Sequence, residues 1–210
     1  MADRFDSKFQ LLRARIESGT KNSSVIMVTS AQANDGKSLV AHGLASGLHD
    51  VGHRVALVDT ALAPSAPADA RARDSRTGDF PVLSLATDMS RPAASREWIR
   101  SFIEQLRHDF EYTVIDAAPL MTDTTAMVLA ATVDSVLVAV RHGRSPGEAD
   151  DLMVQTLTHL KANVLGVIAS SPRHISEFAR RKGVSASGAT RIVVVEARVD
   201  DVPGSALFAK

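Results

Sequence analysis

Val25-Ile-Met-Val-Thr-Ser-Ala-Gln-Ala-Asn-Asp-Gly-Lys-Ser38 joins an apolar, β-branched run to a Gly-Lys-Ser and then to a segment of helical character. That order predicts a phosphate-binding loop. Val25 to Val28 reads as a strand buried on both faces, Ser30 to Asp35 as the turn, and Ser38 to Asp50 as a helix whose first backbone N–H groups point at an anion. The full pattern G-x-x-x-x-G-K-[ST] is not met, because Ala31 stands where the first Gly belongs. In this reading Asn34, Asp35, Gly36, Lys37, Ser38 and Leu39 line a nucleotide: Lys37 reaches its terminal phosphates and the Ser38 hydroxyl holds Mg²⁺. The bland alternative is an exposed lysine on a loop.

Downstream, apolar runs that end in a carboxylate recur. Arg-Val-Ala-Leu-Val-Asp59 and Tyr112-Thr-Val-Ile-Asp116 both read as buried strands. Ligands of open α/β sheets sit at the carboxyl ends of the strands, so topology alone sets Asp59 and Asp116 beside the phosphate loop. Phosphoryl transfer needs phosphate-cradling amides, a cation on the developing charge, Mg²⁺, and a carboxylate to orient or deprotonate the attacking group. Asp116 is the expected acid behind the metal, and Asp59 the candidate base. Taken singly, an Asp closing a strand is as well explained by a turn or a helix cap. His42, His49 and His53 show no metal-ligand spacing and read as surface residues.

Further strands are expected at Pro81 to Leu85, Asp134 to Arg141 and Asn163 to Ala169. A helix is expected over residues 95–109, with Trp98, Ile99, Phe102, Ile103 and Leu106 on its core side, and another from Gly147 to Leu160 turning Met153, Leu157 and Leu160 inward. Strands alternating with helices in this way predict an α/β fold: a doubly wound, mostly parallel sheet with helices on both faces. Before the phosphate loop, Phe5, Phe9, Leu12 and Ile16 share one face of a helix. Packing against the domain and contact with another subunit of a homo-oligomer are both open to it. Residues 61–80 read as a mobile loop and Arg191 to Glu196 as a last edge strand. The expected organisation is an amphipathic helix over 1–20, a nucleotide-binding domain over 21–172, and a basic, flexible segment over 173–210.

At 210 residues and zero formal net charge, the chain suits one α/β domain, and no overall basic field argues for nucleic acid. The absence of cysteine rules out disulfides and thiolate zinc sites and fits a reducing compartment. The charged N-terminus shows no signal peptide, and Asp134 and Arg141 interrupt the most apolar region. The expectation is a soluble, cytoplasmic protein.

Four blocks together carry a resemblance. Phe9-Gln-Leu-Leu-Arg-Ala-Arg-Ile16, Val28-Thr-Ser-Ala-Gln-Ala-Asn-Asp-Gly-Lys-Ser38, Val55-Ala-Leu-Val-Asp-Thr60 and His108-Asp-Phe-Glu-Tyr-Thr-Val-Ile-Asp-Ala-Ala-Pro119 resemble the bacterial tyrosine kinases of capsule and exopolysaccharide synthesis. The core blocks are shared with the wider MinD and ParA class of deviant P-loop ATPases. The kinase resemblance implies a P-loop ATPase sheet, ATP with Mg²⁺, and a membrane-embedded polysaccharide co-polymerase, or chain-length regulator, that recruits the kinase to the inner face of the membrane. Against the family pattern, Ala61 stands where a second Asp is usual, Ala63 where a basic residue is common, and Asp116-Ala-Ala-Pro119 where Asp-Thr-Pro-Pro is usual. Ala169-Ser170 occupies a place where relatives often have Asn near the base, and Ser7 and Gln10 replace the Glu and first Arg of the oligomerisation helix, with Arg13 kept. The family's C-terminal tyrosine cluster is missing, Tyr112 being the one tyrosine of the chain. Two rival readings are a MinD/ParA-like positioning ATPase, whose early-loop lysine has no counterpart among residues 31–35, and a nucleotide-binding regulator without turnover.

Overall fold

The computed structural model describes residues 12–14, 16–18, 23–60, 80–85 and 96–170, together with the strand Val193–Val195. Of the expected loop over 61–80, residues 61–79 lie outside the described residues, as do most of the segment 173–210 and positions 7 and 10; Phe80 is buried in the core rather than part of a mobile loop.

Seven strands form one sheet in the order β3-β2-β4-β1-β5-β6-β7. They are β1 (Ser24–Thr29), β2 (Val55–Asp59), β3 (Val82–Ser84), β4 (Tyr112–Asp116), β5 (Ser135–Arg141), β6 (Val164–Ser170) and β7 (Val193–Val195). The first six are parallel, and β7 closes the edge antiparallel to β6. The central strands are apolar at nearly every position because both of their faces are covered. Side chains alternate between the two faces. In β1, Val25 and Met27 enter one core, and Ile26 and Val28 the other.

The second of these cores is covered by α1 (Lys37–His49), which buries Val40, Ala41, Leu44 and Leu48. Leu12 and Ile16, from the helical residues before β1, join the same cluster and are 3% and 2% exposed. Of the two roles open to that helix, domain packing is therefore the one its described residues perform. The first core lies under α2 (Arg96–Asp109), α3 (Thr124–Ala130) and α4 (Glu148–His159). Helix α2 buries Ile99, Ile103 and Leu106 at helical spacing, while Trp98 is half-buried at the margin and stacked on Phe102, centroids 5.6 Å apart. Helix α3, which the sequence pattern does not announce, is capped by Asp123, whose carboxylate accepts from the Thr125 amide at 2.8 Å.

Asp134 stands just ahead of β5. Its carboxylate accepts from the Val25 amide at 2.8 Å and from Arg107 of α2 at 2.8 and 3.2 Å, tying a helix to the two middle strands.

Candidate functional site

Thr29 ends β1, and the chain turns through residues 30–36 into α1. Two residues take left-handed backbone there: Asn34 at φ 64° and Gly36 at φ 89°. Asparagine tolerates that region and glycine enters it freely. Ala31, where a glycine is expected, has ordinary backbone and packs in the apolar core at 4% exposure. Gly36 is also needed for space, since a Cβ on it would lie 2.3 Å from the Ser170 Oγ. As N-cap of α1 it offers no side chain to the first helical amides. Those donors, and the positive end of the helix dipole, are left for an anion.

Lys37 and Ser38 open α1 beside the end of β4. Ser38 stands beside Asp116, whose carboxyl is pushed up to about 6 by burial, with the charge of Asp59 adding to the rise. The neighbouring Ser38 hydroxyl and the Lys37 ammonium work in the opposite direction. Lys37 is lowered by desolvation, against the pull of Asp116 and Asp35. Asp59 closes β2 as the register partner of Asp116 in β4. The structure thus brings Lys37, Ser38, Asp59 and Asp116 to one place at the carboxyl edge of the sheet. Asn34 is exposed, Leu39 sits half-buried in the first turn of α1, and Asp35 is buried at 1% exposure.

The site suits Mg²⁺ arriving with a phosphate. Among the described residues no group of three or more His, Cys, Asp or Glu could hold a metal ion unaided. What is present is one hydroxyl beside a buried carboxylate, both hard oxygen donors, next to a lysine. Mg²⁺ commonly takes one or two protein oxygens and completes its shell with phosphate and water.

Three residues to which the sequence reading assigns no structural role hold the site in shape. Thr60 donates through its hydroxyl to the Asp116 carbonyl at 3.2 Å and accepts from the Ala118 amide at 3.1 Å, fixing the turn after β4. Ser170 donates to the Asp35 carbonyl at 2.8 Å. Arg144 reaches the Asp35 carboxylate at 3.3 Å. The histidines also differ from the surface reading. His42 is lowered by burial although the Asp59 charge opposes it, His49 packs edge-on to Phe80, and His53 bridges Glu17 and Glu111. His49 and His53 thus lie in joints between elements, which single-residue spacing does not reveal.

No family model matches the chain. The succinoglycan biosynthesis transport protein ExoP of Rhizobium meliloti is 29% identical over 178 residues, a match covering 70% of this chain and 22% of that protein. The chain therefore spans about a fifth of the curated relative it matches. Among solved structures, the kinase domain of the Escherichia coli tyrosine kinase ETK superposes with a TM-score of 0.59 at 16% identity, over 78% of this chain and 74% of that one. MinD of Aquifex aeolicus gives 0.56 at 18% identity, over 79% and 75%. Cobyrinic acid a,c-diamide synthase of Mycobacterium smegmatis, solved with bound ADP and magnesium, gives 0.54 at 17%, over 70% and 74%. The chain has the P-loop α/β fold common to bacterial tyrosine kinase domains and MinD-type ATPases, and its sequence is similar to that of an exopolysaccharide transport protein.

Proposed function

We propose that this protein binds ATP·Mg²⁺ and acts as a kinase-like regulator of exopolysaccharide or capsule polymerisation and export. The observation that carries the reading is the convergence of Lys37, Ser38, Asp116 and Asp59 at the start of α1. Lys37 neutralises the terminal phosphates, Ser38 and Asp116 support the metal, and Asp59 orients the attacking group. The similarity to ExoP supports the polysaccharide setting, and with it a membrane-embedded co-polymerase as partner and a working place at the inner face of the membrane. Among the described residues no helix is long and apolar enough to cross a membrane, which fits recruitment by such a partner. A second reading, nucleotide binding without turnover, is favoured by Ala61, where the family's second carboxylate is missing.

Binding is tested by thermal unfolding. Nucleotide at about a hundred times its Kd adds roughly 2.7 kcal/mol. In a domain of this size that is about 5 to 10 °C. Lys37→Ala abolishes the increase. An equal increase in wild type and variant overturns the phosphate-loop assignment. Phosphate release by the wild type then separates an active enzyme from a regulator.

A further inference from the structure

Arg144 lies in the connection between β5 and α4, outside every motif that suggests nucleotide binding. Its guanidinium forks onto Asp150, with Nη1 and Nη2 each 2.6 Å from a carboxylate oxygen, and Nη2 also lies 3.3 Å from Asp35 Oδ2. Asp150 is fully buried and accepts in addition from the Gly147 amide at 2.9 Å, so the fork rests on a fixed base. Asp35, immediately before Gly36, is held twice: its carboxylate by Arg144 and its carbonyl by the Ser170 hydroxyl at 2.8 Å. These contacts span 109 and 135 residues of sequence and converge on the one loop residue that is buried beside the left-handed Gly36.

We propose that Arg144 is a positioning residue for the phosphate loop. Anchored on Asp150, it holds Asp35 and so fixes the path of the chain through Gly36 to Lys37 and the first amides of α1. The physical reason is the state left without it. Asp35 and Asp150 would be two buried carboxylates acting on each other, and the cheapest relief is for the loop, the less anchored of the two, to swing Asp35 towards water. A loop displaced by even an ångström presents its amides badly to a phosphate. Nucleotide affinity is then set in part from the β5–α4 connection. That last consequence rests on the nucleotide-binding reading above, whereas the order of the loop does not.

The test separates the two. Hydrogen exchange is followed in the full, nucleotide-free chain for wild type, Asp35→Asn, Arg144→Lys, Arg144→Ala and the Asp35→Asn/Arg144→Ala double variant. Asp35→Asn keeps the shape of the loop residue and leaves the Arg144–Asp150 fork intact, so it carries the test even where Arg144→Ala fails to fold. The expected result is exchange about ten-fold faster over residues 30–38 in Asp35→Asn and Arg144→Ala, the loss of one charge-assisted contact. Arg144→Lys falls between these and wild type, the double variant is no looser than Arg144→Ala, and peptides over β4 are unchanged. The Kd for ADP·Mg²⁺ rises in the same order. Wild-type exchange over 30–38 in Asp35→Asn overturns the proposal, as does a uniform increase that includes β4. A wild type that binds no ADP, yet whose loop loosens in the variants, supports the positioning role and removes the nucleotide reading instead.

Discussion

Asp59 and Asp116 stand side by side as register partners at the ends of two adjacent parallel strands, β2 and β4. Burial, followed by the nearness of Asp59, holds the Asp116 carboxyl at about 6, against the Ser38 hydroxyl and the Lys37 ammonium. Ionising Asp116 in this place carries an electrostatic cost, which under the proposed nucleotide reading a metal–phosphate complex would relieve.

This cost has a definite pH signature. The Asp116 carboxyl moves from an ordinary 3.8 to about 6 in the folded protein. Its contribution favours the folded state fully below the lower value and is lost as pH rises through the upper one. About two pH units correspond to about 3 kcal/mol, an upper bound on what is missing at pH 7.5. Asp116→Asn cannot ionise. Without nucleotide it is expected to be more stable than wild type at pH 7.5 by up to that amount, with the gap shrinking towards pH 5, as urea unfolding at the two pH values will show. The same variant loses the Mg²⁺ dependence of nucleotide stabilisation. A gap that does not change with pH means that Asp116 does not titrate in this range.

His53 gives a second, opposite-ended effect. Its Nε2 meets Glu17 at 2.9 Å and its Nδ1 meets Glu111 at 3.0 Å, which joins the helical residues before β1 to the turn between α2 and β4. Burial works against the charged ring, but the hydrogen bonds to the two carboxylates outweigh it and its pKa is raised above 6.5. The clasp therefore contributes fully below about 6.5 and fades as pH rises through the higher folded value. His53→Gln is expected to be less stable than wild type at pH 6 and to approach it by pH 9, with hydrogen exchange over residues 12–18 following the same course. Parallel stability curves for the two proteins would remove the ionic clasp.

Gly36 is constrained twice, and the two constraints can be separated. A Cβ there meets the Ser170 Oγ at 2.3 Å, and the backbone sits at φ 89°. Gly36→Ala is expected to lose about 1–2 kcal/mol to the left-handed backbone, with a further loss from the contact. Adding Ser170→Gly removes both the Oγ and the Cβ, which lies 2.8 Å away, and so relieves only the contact. The double variant should thus unfold at a urea concentration between those of Gly36→Ala and Ser170→Gly. Full recovery in the double variant would show that the backbone conformation costs nothing.

The fold was legible where burial on both faces writes itself as an unbroken apolar run, as in β1, β4 and β5, and where a carboxylate closes such a run, as at Asp59 and Asp116. Helix α3 was not legible, because seven residues beginning with two threonines show neither a period nor a strong propensity. The residues that shape the loop escaped for another reason. Arg144 and Ser170 act on Asp35 across more than a hundred positions, and a pairing of that kind leaves no local pattern. Asp150 shows the same limit. An acid in the first turn of a helix reads as a solvent-exposed partner of the dipole, yet it is fully buried and holds Arg144.

Tyr112 carries the last prediction, that this chain does not phosphorylate itself on tyrosine. It is the one tyrosine in the sequence, 7% exposed, and packs edge-on against His53 with centroids 4.8 Å apart. It opens β4, whereas Asp116 closes it, so the phenol belongs to the end of the strand remote from the phosphate loop, roughly 13 Å away along the backbone. Bringing its hydroxyl to a γ-phosphate would require unpairing β4 from both β1 and β2 in the middle of the sheet. That costs a large part of the stability of a domain whose total is about 5 to 15 kcal/mol. Under the kinase reading, the acceptor within these residues is then expected to be a Ser or Thr, with water or another protein as alternatives. Incubation with ATP·Mg²⁺, alone and with a cytoplasmic segment of a co-polymerase, followed by mass-spectrometric mapping, is expected to leave Tyr112 unmodified. Stoichiometric phosphate on Tyr112 would sink the idea, whereas phosphate on the co-polymerase segment would identify the acceptor and favour the kinase over the regulator without turnover.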